Sequence, residues 1–265
     1  MKKISLNSKK IAEYLNAGKR FDGRKPEEFR QLSIETGVSA NAEGSARVKL
    51  GNTDVIVGVK LATGEPYADS PNKGNFMVSA ELSPMSSSRF ESGPPKFPVI
   101  EFGRVLDRGL RESGFINWEG LCIEEGKKVW TLFVDIYTIN DDGNLMDAAG
   151  IGAIAAMKTA KLPTYDKETE TLDYKNPSET PLPLNDVTPI AITAYKVGDK
   201  ILVDPNRDEQ DAATARVTIG SSDGIISSIQ KGEEEAMTQE EIGEALDLAD
   251  TAYKEVFKNL EKQIK

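Results

Sequence analysis

An α+β fold, two βα-type halves with mixed sheets packed against helices, is predicted by three features of this 265-residue sequence. Runs of β-branched and apolar residues separated by turn formers occur from Gln31 to Leu61 and again from Ile190 to Gln230, the pattern of antiparallel hairpins. A long strand-like run, KKVWTLFVDIYTIND, leads directly into a helix of small residues, LMDAAGIGAIAAMKTAK. Between the two halves, Leu162 to Thr188 carries Pro163, Pro177, Pro181 and Pro183 among Thr, Asp, Glu and Asn, so the chain is divided there into residues 1–187 and 188–265.

Ser8 to Ala17 places Ile11, Tyr14 and Leu15 on one helical face, and Gly18 supplies the stop. The basic stretch RFDGRKPEEFR, Arg20 to Arg30, turns at Asp22-Gly23 and reads either as a solvated charged turn or as a phosphate-contacting loop. Ser45 to Leu50 and Asp54 to Leu61 form a hairpin about Gly51-Asn52-Thr53, and Phe76 to Leu82 is a further strand. SPMSSSRFESGPPKFP is an irregular surface loop.

Pro98 opens a helix that Gly114 closes. At 100° per residue, Val99, Phe102, Leu106 and Leu110 share one face, while Arg104, Arg108 and Arg111 fall together on the opposite one. Such a stripe is either a salt-bridged solvent face, through Asp107 with Arg111 and Arg108 with Glu112, or a row of guanidiniums suited to successive phosphates of one strand. Val129 to Thr138 is a strand near the centre of a sheet, apolar on most of both faces. The small residues of the helix that follows allow it to lie close to a sheet. Beyond the connector, four strands form two hairpins, turned at Val197-Gly198-Asp199 and Ser222-Asp223-Gly224. The final helix begins at Thr238, with Glu241 completing a capping box. Ile242, Leu246, Ala249, Tyr253, Val256 and Leu260 give it one packing stripe.

Composition removes several chemistries. There is no histidine, so Ser-His-Asp and Cys-His catalysis and His-ligated metals are excluded. One cysteine, Cys122, excludes an internal disulfide and a thiolate-rich zinc site, and its apolar neighbours predict a small buried hydrophobe. No apolar run approaches the ~18 residues needed to span a bilayer, and MKKISLNSKK lacks a signal-peptide core. A soluble, cytoplasmic protein with no membrane partner is expected. The net charge of −10 argues against a surface that grips nucleic acid everywhere, but leaves room for a local basic patch.

The segment DKILVDPNRDEQDAATARVTIG, Asp199 to Gly220, concentrates carboxylates between two strands. Asp204, Asn206 and Asp208 match the start of an EF-hand loop, but Glu209 stands where glycine is needed and Ala215 where a bidentate Glu is needed. An enzyme using Asp204, Asp208 and Asp211, phosphorolytic or metal-dependent, is one reading. Against it, a second carboxylate would have to follow Asp211 along the next strand, and that place holds Arg216. Its charge would lower carboxylate pKa values, repel a cation and attract an anion.

DGR at 22–24, GNTDVIVGVKL at 51–61, EFGRVLDRGLRESG, VWTLFVDIYTINDDGN and VDPNRDEQDAATARVTIG together resemble the RNase PH family, most closely its non-catalytic members in the archaeal exosome ring. The resemblance runs in order from about Ser8 to the C-terminus. It implies an RNase PH fold and a hexameric ring in which a catalytic RNase PH-like paralogue alternates with this chain. Such a ring degrades single-stranded RNA from its 3′ end with inorganic phosphate, carries RNA-binding cap proteins, and needs no cofactor or metal from this chain. Asp211 matches the first of the family's two active-site aspartates, and Arg216 replaces the second, a degenerate site. The family's phosphate-binding Gly-Ser/Thr element is missing, because Asn144 and Leu145 follow Gly143. The resemblance thus implies no catalytic residues here, and RNA contact through Arg104 and Arg108, with Arg111 on the same face. Screening over ~8 Å in physiological salt lets such a stripe act locally in an acidic chain.

Overall fold

The computed structural model describes residues 6–166, 168–174, 176 and 178–264, with the backbone alone for residues 6 and 7. Residues 1–5, part of the stretch from which the lack of a signal-peptide core is read, and Pro177 of the connector lie outside the described residues.

A short helix α1 (Leu6–Asn16) precedes the first sheet, which comprises β1 (Leu32–Thr36), β2 (Gly44–Leu50), β3 (Thr53–Gly64), β4 (Asn75–Glu81), β5 (Cys122–Glu124) and β6 (Lys128–Asn140). The strand order is β1-β2-β3-β6-β4, with β5 pairing on β6, and every pairing is antiparallel except β4 with β6. That parallel pair requires a crossover, and α2 (Phe97–Arg111) lies within it. The predicted hairpin forms in the register Leu50 opposite Thr53. As anticipated, β6 lies inside the sheet, with Val129, Trp130, Leu132, Val134 and Ile136 all buried.

Next comes α3 (Leu145–Lys158), whose residues from Leu145 to Met157 are all buried. It packs on β2, β3 and the second sheet's β9 (Ile190–Val197), which explains its small residues. A Cβ on Gly152 would sit 2.7 Å from Val57 Cγ2, so only glycine permits this approach. The connector contains the two-stranded hairpin of β7 (Thr164–Asp166) and β8 (Thr171–Asp173).

In the second sheet the order is β10-β9-β11-β12, all antiparallel, with β10 (Lys200–Val203), β11 (Ala215–Ser222) and β12 (Ile225–Gly232). Between β10 and β11 the acidic segment is not a loop but a helix, α4 (Arg207–Ala212), started by a capping box of Asn206 and Glu209. The last helix, α5 (Gln239–Gln263), carries the predicted box of Thr238 and Glu241, and Ala245 and Ala252 join its buried stripe. One continuous apolar core runs from β1 through α3 to α5, and a smaller one under α1 joins Ile11 and Leu15 to Tyr195, Val197 and Leu202. Cys122 is only half-buried, because it lies on the short strand β5 at the margin of the sheet.

Candidate nucleic-acid interface

Helix α2 presents two different faces. Phe102, Gly103, Leu106 and Leu110 are buried, while Arg104 and Arg108 are exposed. Among the described residues neither arginine side chain has a hydrogen bond or ion pair, and the expected contact of Arg108 with Glu112 does not form. Two unscreened cations one helical turn apart are therefore open to an anionic ligand. Arg111 stands apart from them. Its guanidinium donates to both oxygens of Asp107 (2.9 and 2.8 Å) and to the Phe76 carbonyl (2.9 Å), and it lies over the rings of Phe76 and Trp118. That arginine is committed to fixing α2 on β4. Its pKa is raised, chiefly by the hydrogen bond to Asp107.

The acidic segment is used structurally. Asp204 adopts a left-handed conformation (φ 45°) and is fully buried. Its carboxylate accepts from Arg30 N (2.7 Å), Arg30 Nε (2.9 Å), Arg30 Nη2 (2.7 Å), Arg24 Nη1 (3.0 Å) and Asn144 Nδ2 (2.9 Å). Arg20, also buried, makes a bidentate pair with Glu209 at 2.9 and 2.7 Å and reaches the Asp204 carbonyl at 2.8 Å. The turn at Asp22-Gly23 is solvated, as one reading of Arg20 to Arg30 expects, but its flanking arginines do not form a free phosphate loop. These arginines turn inward and clamp the end of β10 and the start of α4, since a buried carboxylate needs such partners.

Asp211 lies on the other side of α4. It is bound by both Nη atoms of Arg89, from the irregular loop before α2, and by Arg207 Nη2 at 2.8 Å. Arg207 in turn holds Asp141 at 2.9 Å. Burial acts to raise the Asp211 pKa, but the hydrogen bond from Arg89 and the charges of Arg207 and Arg89 outweigh it, so the carboxyl is held below its ordinary value. The expected influence of Arg216 on this carboxylate is not what the structure contains: Arg216 Nη2 pairs with Glu101 Oε2 of α2 at 2.9 Å. Asp208 is exposed. Asp204, Asp208 and Asp211 consequently face three environments and converge on no common point, and among the described residues no three His, Cys, Asp or Glu side chains are grouped to hold a metal ion.

A second buried cluster lies at the start of α3. Asp147 accepts from Thr193 N (3.1 Å), Thr193 Oγ1 (2.7 Å) and Asn144 Nδ2 (3.0 Å), and burial, the dominant influence, pushes its carboxyl up to about 7. Sequence reading missed this cluster, the inward turn of Arg20, Arg24 and Arg30, and the role of Arg89. Only α4 had a visible signal, the Asn206 to Glu209 spacing of a capping box.

Two sheets bridged by α3, with the exposed arginines of α2 beside them, are the architecture on which the family assignment rests. Models of the 3′ exoribonuclease family match residues 28–163 with domain 1 and residues 188–252 with domain 2. The chain belongs to the 3′ exoribonuclease (RNase PH) family, and its architecture is the RNase PH fold. It is 47% identical over 240 residues to the exosome complex component Rrp42 of Methanocella arvoryzae, covering 90% of this chain and 89% of that protein. A chain of the Archaeoglobus fulgidus exosome, solved with RNA bound to the active site, matches with TM-score 0.88 and 39% identity, over 96% of this chain and 97% of that one. A chain of an archaeal exosome core matches with TM-score 0.84 and 37% identity, over 97% and 96%.

Proposed function

We propose that this chain is a non-catalytic core subunit of an exosome. It pairs with a catalytic RNase PH-like paralogue, in a hexameric ring of alternating subunits, and gives the RNA path its Arg104 and Arg108. The ring shortens single-stranded RNA from the 3′ end with inorganic phosphate. It receives substrate through RNA-binding cap proteins and works in the cytoplasm. Residues 1–187 and 188–265 form the two halves of the subunit, a division that the family matches at 28–163 and 188–252 support.

The observation that carries this reading is a contrast in pairing. Arg104 and Arg108 are exposed and unpaired, whereas Asp211, the one retained family carboxylate, is occupied by two arginines. A carboxylate so held is a poor acid or metal ligand at neutral pH, while free guanidiniums suit RNA phosphates. The test is RNA binding by the assembled complex. Arg104→Glu with Arg108→Glu is expected to weaken binding of an oligo(A) strand by at least about tenfold, through the loss of two phosphate contacts and added repulsion. Unchanged binding and degradation would reduce the stripe to a solvated face.

A further inference from the structure

Arg216 occupies the place of a family carboxylate, yet it does more than leave that place empty. It lies on β11 opposite Gly232 of β12. A Cβ at Gly232 would come 2.6 Å from the Arg216 Cζ, so the guanidinium crosses over a glycine to reach α2. There it pairs with Glu101 at 2.9 Å, and both side chains are mostly buried, 11% and 24% exposed. Among the described residues this is the only ion pair joining α2 to the second sheet.

Glu101 precedes Arg104 by three residues and Arg108 by seven, so all three lie on one side of the helix. A carboxylate and a guanidinium at that three-residue spacing pair readily on a helix surface. Nonetheless Arg104 has no partner, and Glu101 turns to Arg216 instead. We propose that Arg216 is a positioning residue for RNA binding: by capturing Glu101 across the gap between β11 and α2, it keeps that carboxylate from neutralising Arg104. The inference rests on the reading that Arg104 and Arg108 contact RNA.

The test uses the assembled complex and fluorescence anisotropy of a labelled oligo(A) strand over a range of salt concentrations. Arg216→Ala is expected to weaken binding about three- to tenfold and to lower the slope of log affinity against log salt by about 0.7, the share of one phosphate on a single strand. Glu101→Ala is expected to bind at least as well as the parent, and the double variant Glu101→Ala with Arg216→Ala to return to near parental affinity and slope. Should Arg216→Ala fail to assemble, Arg216→Met, which keeps an apolar stem but no donor for Glu101, is read in the same way.

Two patterns across the Glu101 and Arg216 variants would overturn the inference. If Glu101→Ala is as weak as Arg216→Ala and the double variant is no better, the pair merely anchors α2. If Glu101→Ala is normal while the double variant stays weak, Arg216 supports RNA binding by a route other than Glu101. Arg104→Ala separates this inference from the functional reading. Parental binding by that variant would remove the RNA role of α2 altogether, whereas weak binding by Arg104→Ala beside normal binding by Arg216→Ala would remove only the role of Arg216.

Discussion

Asp204 shows how far residue-level reading reaches. Its position in an acidic stretch suggested chemistry, but five hydrogen-bond donors from Arg24, Arg30 and Asn144 surround it, and a carboxylate so enclosed serves the fold. Removing one member of a buried ion network leaves the others uncompensated, so Asp204→Ala is expected to cost about 3–5 kcal/mol in urea denaturation. A catalytic role would instead leave stability intact. Asp147 makes a prediction about pH. Its folded pKa of about 7 exceeds the unfolded value of ~3.9, so the native state holds the extra proton between those limits. The contribution of this group to stability is therefore full below about pH 4 and declines as pH rises towards 7. Asp147→Asn should flatten that decline in denaturation measured at several pH values, because an amide can still accept from Thr193 N and Asn144 while donating to Thr193 Oγ1. A decline of unchanged size would place its source elsewhere. Asp211 acts in the opposite sense and in a lower window: its depressed pKa gives stability that is present above the unfolded value and lost as pH falls.

At the scale of elements, periodicity and capping were the readable signals. The two faces of α2, the buried strand β6, the small-residue helix α3 and the capped start of α5 all follow from spacing alone. What spacing could not convey was where long side chains end. Arg104, Arg108 and Arg111 form one stripe in the sequence, but Phe76 of β4 and Trp118, whose ring packs edge-on against it, draw Arg111 out of that stripe. Arg89 reaches Asp211 across 122 positions of sequence, a contact that no local pattern encodes. Packing of α2 is itself testable. Leu106 is buried between α2 and the core, and Leu106→Ala should cost about 2–5 kcal/mol. It should also weaken RNA binding by the complex, since the arginines can be no better placed than the helix that carries them. Loss of stability with RNA affinity unchanged would show that the pose of α2 is set by its ends and not by its buried face.

For the whole molecule, the proline-rich connector marks two halves in the sequence, but a single apolar core joins them through α3. The acidic composition gave no hint that the open cations would gather on one helix, because net charge carries no spatial information. The central claim is that the chain works only with a catalytic partner. It is tested most directly by phosphorolysis of oligo(A), measured as release of nucleoside diphosphates by this chain alone, by its catalytic paralogue alone, and by the two mixed. No release is expected from this chain alone, and strong release on mixing. Release by this chain alone, abolished by Asp211→Asn, would contradict that claim and would mean that Arg89 and Arg207 activate Asp211 where we read them as occupying it.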